Sequence, residues 1–375
     1  MQRLFHWQIS YLKKRNPDFV KRNRGFPFYD KNVKILYMKA LLYKGPKTIE
    51  YVDMPKPEIK DDEVLMKIKS VGICGTDLHI YSGKMNLPTP LIMGHEFSGV
   101  IESVGKLVKH LAVGDRVVGE HVVPCRACHY CLIGKPNLCP KAKVIGLDRP
   151  GALAEYLAIP ADLVYKIPPE ISFEEAALIE PLTIALYATK EAGLLLDKNV
   201  AIIGQGPIGL LLDQVIKSAG GNVVGIESQA HRLTFAQDKK WIDYTIDATK
   251  ENAANRIVEL FPDGVDVAIE AVGREATAQM ALNITSRAGY VLLIGVFEDL
   301  SKLDLMSIVK KELHVHGSWT CAFSFPEAID LVSKGKIDLK SLITHRYEAK
   351  DGAQAFKDSS EYIDGRIKTV INFNG

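Results

Sequence analysis

Cysteine is scarce in this chain of 375 residues: there are six, and four fall in one stretch of seventeen, "PCRACHYCLIGKPNLCP" (124–140). Net charge is nearly absent too, at +2, so nothing global recruits nucleic acid or an acidic membrane surface. No apolar run approaches the roughly 20 residues that span a bilayer. The first 37 residues carry nine Lys and Arg against two acids but have no long apolar core, so they do not read as a secretory signal. These absences point to a cytoplasmic protein working on a small molecule. In a reducing setting, clustered cysteines point to metal or catalysis before disulfides.

What is present is enough for two domains with filled cores. The hydrophobic share of 47% and charged share of 25% are those of a globular protein. Residues 1–37 form a basic arm. The readings open for it are a dispensable, disordered segment, an upstream start with Met38 as the true one, or a transit peptide. No internal repeat or low-complexity linker is evident.

Cys125, Cys128, Cys131 and Cys139 are spaced C-x2-C-x2-C-x7-C. Short gaps let neighbouring sulfurs curl around one ion, with Gly134 and Pro136 shaping the return. Four thiolates at about 2.3 Å complete a tetrahedral zinc shell and leave no open position. The cluster therefore predicts a structural zinc; two disulfides or four free thiols are the alternatives. His129 reads as a bystander in the lobe, and Cys321 as a free core thiol.

An open metal site must lie elsewhere. "VGICGTDLHIY" offers Cys74, Thr76, Asp77 and His79; "MGHEFSGVIESVG" offers His95 and Glu96. Catalytic zinc takes three ligands drawn from His, Cys and carboxylate and keeps a fourth position open. Cys74 and His95 supply thiolate and imidazole, and Glu96 is a candidate carboxylate. A further one is Glu180 in "SFEEAALIEPLTIALYATKEAG". Ser172 with Glu175 reads as a capping box opening a helix. Pro181 disfavours helical geometry at 180, so Glu180 is expected at a break between two helices.

The cofactor half follows from "KNVAIIGQGPIGLLLDQVIKSAG": a β-branched run, then Gly204-x-Gly206-x-x-Gly209, then a helical pattern. The next strand-like run, "NVVGIE", ends in Glu227, at the spacing of a dinucleotide fingerprint. The glycines let backbone approach a pyrophosphate at the helix N-terminus. Glu227 can accept from both ribose hydroxyls and repels a 2′-phosphate, which favours NAD; Arg232 softens that preference. "IDYTID", "GVDVAIEAVG", "GYVLLIGVF" and "ELHVHGS" complete six strands, the number a doubly wound parallel sheet requires. Residues 38–170 are instead rich in short strands and turns.

In "CGTDLH", "GHEFSGVIESVG", the four-cysteine lobe and "GQGPIG", in that order, the chain resembles the zinc-dependent medium-chain alcohol dehydrogenases, over roughly residues 38–373. The resemblance is to the branch acting on polyols such as sorbitol, on L-threonine or on butanediol. It implies an α/β protein with a GroES-like catalytic domain (38–182 and 323–375) interrupted by a Rossmann domain (183–322). It implies two zinc ions per subunit and NAD. Cys74, His95 and Glu180 match the catalytic ligands, and Glu96 a carboxylate that can approach or replace one. Thr76 and His79 match a proton relay. Lys368 matches a base near the pyrophosphate. Val272, Ile294 and Val296 match residues near the nicotinamide, beside Pro207 and Ile208 of the phosphate loop. The reaction implied is oxidation of a secondary alcohol to the ketone, by a homotetramer or homodimer. The alternative in another class is an NAD-sensing binder on the same scaffold, which has no need of an open zinc site.

Overall fold

The computed structural model describes residues 36–193, 195–361 and 365–374. The basic arm lies outside the described residues up to residue 35. Its final residue, Tyr37, instead opens strand Tyr37–Gly45.

Strand Glu63–Gly72 is the hub of a mixed seven-stranded sheet. Glu96–Val104, Tyr156–Pro160 and Lys368–Asn372 all pair with it antiparallel. Arg116–Gly119 and Val164–Lys166 extend the sheet on one side. On the other, Ile343–Glu348 runs parallel to Lys368–Asn372. The chain's last strands therefore complete the sheet that its first quarter begins. Val64, Met66 and Ile68 alternate along the hub into one core with Leu41, Phe97 and Ile159.

The second sheet is wholly parallel. Its order is Tyr244–Asp247, Asn222–Glu227, Asn199–Ile203, Val265–Glu270, Thr285–Leu293, His314–Gly317. The chain starts in the middle, winds outward one way, then returns to wind the other. Burial on both faces explains the unbroken apolar runs. Val200 and Ile202 point into one core with Leu210 and Leu211, while Ala201 and Ile203 point into the opposite one with Ile257 and Leu282. The order reverses between Asn199–Ile203 and Val265–Glu270, which opens the crevice where such sheets bind ligands.

Two local expectations shift. The capping box at Ser172 and Glu175 is present, but the helix break falls at Leu178, not at Glu180. The next helix is Ile179–Glu191, with Glu180 and Pro181 in its first turn, where proline costs no hydrogen bond. A division of the chain at 182/183 would cut this helix. Likewise, helix Phe325–Ser333 buries Phe325 and Ala328 in the core that holds Val200 and Leu210, although the boundary at 323 assigns it to the catalytic domain.

Candidate active site

The register of the mixed sheet assembles the site. Gly72, at the end of the hub strand, stands opposite Glu96 on one side and Val370 on the other. Cys74 follows two residues later, and both flanking strands begin at this level, with Glu96 and Lys368. Cys74 is also the N-cap of helix Gly75–Ser82, and its N–H donates to Asp77 Oδ2 at 3.0 Å. Gly72 is required for closeness: a Cβ there would collide with Glu96 Oε2 and lie 3.2 Å from Lys368 Cε.

Ligand atoms of Cys74, His95 and Glu96 lie within 4.8 Å of one another. The donor set of thiolate, imidazole and carboxylate suits zinc with a position left open. The buried Asp77 Oδ1 and His95 Nδ1 have no hydrogen-bond partner among the described residues, whereas Glu96 Oε2 lies 2.5 Å from Lys368 Nζ. Asp77 is fully buried, with Oδ1 3.6 Å from His95 Nδ1, so a carboxylate backs the imidazole from behind. Burial works against a charged His95, but the Asp77 carboxylate and Cys74 outweigh it and raise its pKa well above the ordinary value.

Of the two candidate carboxylates, one stands where it is expected. Glu96 stands in the ligand group, whereas Glu180, expected there, lies outside it. Glu180 is buried, and its Oε1 sits 3.0 Å from His121 Nδ1. The first turn of its helix points the side chain at that imidazole, whose ring centroid is 5.5 Å from that of His95. Lys368 has a partner that its motif does not indicate. Expected beside a pyrophosphate, its Nζ donates to Glu96 Oε1 at 2.6 Å, with both groups buried. Burial disfavours the ammonium, yet Glu96 more than offsets this and raises the Lys368 pKa.

Thr76 and His79 share helix Gly75–Ser82, one helical turn apart and half-buried. His79 Nδ1 is 2.9 Å from Glu298 Oε1, on the segment that follows strand Thr285–Leu293. Lys84 Nζ reaches the same carboxylate at 3.2 Å. The pairing joins the two sheets' halves across the site.

In the cofactor crevice Gly204 has φ +98°, and a Cβ there would strike Val272 Cγ2. A side chain at Gly209 would strike the carbonyl of Gly204, so this glycine lets helix Pro207–Ser218 start hard against the strand. Gly206 caps that helix, with Pro207 and Ile208 opening it. Val272 and Val296 are exposed and Ile294 half-buried, on loops leaving the neighbouring strands. Glu227 accepts from the N–H of Gln205 at 2.9 Å and of Ser228 at 2.7 Å. Burial pushes its pKa up, but these donors and Arg232, 3.4 Å away, hold it below the ordinary value.

The four-cysteine lobe closes as its spacing requires. All four Sγ atoms lie within 4.8 Å, with Cys128–Cys131 at 3.5 Å and Cys125–Cys131 at 4.0 Å. A tetrahedron of radius about 2.3 Å has edges of about 3.8 Å. N–H groups of Ala127 and Cys128 bring the Cys125 thiol down to about 6, which favours the ligating thiolate. His129 carries no ligand role, and Cys321 is a buried free thiol.

Residues 60–169 match the family model of the alcohol dehydrogenase GroES-like domain, and 207–334 that of the zinc-binding dehydrogenases. Mouse sorbitol dehydrogenase is 33% identical over 337 residues, 88% of this chain and 94% of the mouse protein. The chain belongs to the zinc-dependent medium-chain alcohol dehydrogenase family. Among solved medium-chain dehydrogenases, 2R,3R-butanediol dehydrogenase of Bacillus subtilis superposes with TM-score 0.84 at 30% identity, over 90% of this chain and 100% of that one. A structure from Sinorhizobium meliloti, described as a zinc-binding dehydrogenase bound to NADP, gives TM-score 0.86 at 30% identity, with 90% and 100% covered. The family's two-part architecture is the one described above, a GroES-like part and a Rossmann parallel sheet. Among the described residues no helix is long and apolar enough to cross a membrane.

His121, Glu298 and the role of Asp77 were not legible in the sequence. Asp77 had a signal, since N-cap to N3 spacing from Cys74 marks a backbone-capping acid. His121 and Glu298 act through contacts with residues 59 and 219 positions away, which spacing does not reveal.

Proposed function

We propose that this dehydrogenase oxidises a polyol, or a related secondary alcohol with a second polar group nearby, to the ketone with NAD. The observation that carries the reading is the convergence of Cys74, His95 and Glu96 within 4.8 Å of one another, in a chain that also carries a dinucleotide crevice. When bound, zinc supplies a Lewis acid that acidifies an alcohol, and NAD supplies a hydride acceptor. Cys74, His95 and Glu96 hold the metal, with Glu180 as the reserve carboxylate kept in place by His121. Thr76 takes the alcohol proton and passes it toward His79, whose Nδ1 lies 2.9 Å from Glu298 Oε1. Gly204, Gly206 and Gly209 admit the pyrophosphate to the helix N-terminus. Val272, Ile294 and Val296 flank the nicotinamide, and Glu227 selects NAD over NADP by repelling a 2′-phosphate.

We place the catalytic part at 38–182 and 323–375 and the cofactor part at 183–322, with helix Ile179–Glu191 running across the first limit. We further place the protein in the cytoplasm, as a homo-oligomer. Clustered cysteines that read as metal ligands suit a reducing compartment, and strand His314–Gly317 is exposed along its length at a sheet edge, a surface suited to pairing.

The test is a panel of initial rates with sorbitol, xylitol, L-threonine, 2,3-butanediol and simple secondary alcohols, with NAD and NADP in parallel. A polyol used best with NAD is the expected result. L-threonine or butanediol used best would move the enzyme to that branch. Silence across the panel, from folded zinc-loaded protein, would remove the polyol reading.

A further inference from the structure

Helix Pro207–Ser218 carries a buried carboxyl that the proposed chemistry does not use. Leu210 through Ile216 are all buried, and Asp213 in their midst has no accessible surface. A carboxylate in such a setting is costly unless it is paired. Its hydrogen-bond partner is Gln205, the fully buried residue between the first two glycines of the phosphate loop. Gln205 Nε2 donates to Asp213 Oδ1 at 3.2 Å. What remains on each group is an oxygen: Gln205 Oε1 and Asp213 Oδ2, both buried and both without a hydrogen-bond partner.

The amide occupies a prepared slot. Gly225, in the middle of strand Asn222–Glu227, leaves its side-chain space empty, and a Cβ there would lie 3.2 Å from Gln205 Cδ and Nε2. On its backbone side, Gln205 donates its N–H to Glu227 Oε2 at 2.9 Å. One residue therefore joins three parts of the dinucleotide site: the glycine turn, the helix behind it and the ribose carboxylate.

We propose that Gln205 and Asp213 form a cyclic amide–carboxylic acid pair that locks the phosphate loop to its helix and sets Glu227 for the dinucleotide. A single hydrogen, the acid proton on Asp213 Oδ2 donated to Gln205 Oε1, satisfies both of the oxygens left without a partner. The neutral acid is also the form that burial favours, for burial pushes the Asp213 pKa well above its ordinary value against the weaker pull of the Gln205 bond. Asp213 is thus a positioning residue: it acts on the cofactor only through Gln205. The role rests on the reading of this crevice as the NAD site.

The chemistry makes an unusual demand on substitution. Asn at 213 reproduces the acid, with an oxygen to accept from Gln205 Nε2 and an N–H to donate to Oε1. Leu at 213 leaves the Gln205 amide buried and unpaired. The experiment measures NAD dissociation constants by quenching of protein fluorescence, with kcat and KM for NAD, in wild type, D213N, D213L and Q205M. D213N is expected to match wild type. D213L and Q205M are expected to weaken NAD binding about tenfold, with kcat within about twofold, as for loss of a buried hydrogen-bonded contact. D213N as impaired as D213L would overturn the pair, because an ionised carboxylate would then be required. Wild-type affinity in D213L would overturn its positioning role. If D213L does not fold, the infrared difference between wild type and D213N at neutral pH decides. A carboxylic-acid carbonyl band in wild type supports the pair, and its absence contradicts it. That band does not depend on NAD, so failure of NAD to bind wild type would fault the crevice reading and leave the pair tested.

Discussion

At the scale of single residues, buried charges do the positioning. Lys368 and Glu96 neutralise each other beneath the metal group, both almost inaccessible. Removing one partner strands the other, so K368M should destabilise the metal-free protein by about 3–5 kcal/mol in urea unfolding. A loss below about 1 kcal/mol would mean that Glu96 takes up a proton at little cost or finds another partner. Glu227 gives a prediction with a sign in pH. Its folded-state pKa is depressed, so its stabilisation is present above the unfolded value near 4.5 and fades as pH falls through the folded one. E227Q should therefore be less stable than wild type at pH 7, with the gap closing below about pH 4. In kinetics E227Q should raise KM for NAD and lower that for NADP, narrowing the preference about tenfold. The residue types of the site were legible because metal chemistry restricts them. The partners of His79, Glu180 and Lys368 were not, because the register of distant strands and loops decides them. Lys368 shows this best: its motif pointed to the cofactor, and its strand delivers it to Glu96.

At the scale of elements, the central parallel strands were legible because burial on both faces writes unbroken apolar runs, whereas the edge strands Tyr244–Asp247 and His314–Gly317 are more exposed and carry no such run. The phosphate loop was legible for the same reason, lying between one such run and a helix. The break before Glu180 was misplaced by two residues. Pro181 was read as ending geometry at 180, whereas it is tolerated within a first turn that starts at Ile179. The cysteine lobe is the element most dependent on an added group. It has only short helical turns of its own, His129–Leu132 and Pro136–Leu138, with Leu132, Ile133 and Leu138 exposed. C128S should therefore lose one zinc per chain, counted by atomic absorption, and lower Tm by several degrees. Any protein that remains folded should keep its kcat. Unchanged zinc content and Tm would remove the structural role.

At the scale of the whole molecule, a strand returning from the far end of the chain completes the first sheet and brings Lys368 to Cys74 and Glu96. The parallel sheet, inserted between, faces the same site through the His79–Glu298 pair. Neither juxtaposition follows from local pattern; the resemblance of ordered motifs to a known family supplied the expectation of a split domain. The domain limits were least legible, since helices Ile179–Glu191 and Phe325–Ser333 pack across them into a shared core. Central to this chemistry is the proposal that the open metal site at Cys74 carries it while the crevice and the lobe stand apart. The most direct test compares wild type with C74S for zinc content, NAD affinity and NAD reduction with the best polyol. In C74S two zinc ions should fall to one, NAD affinity should stay within about twofold, and turnover should drop by at least about a thousandfold. Wild-type turnover in C74S would contradict it.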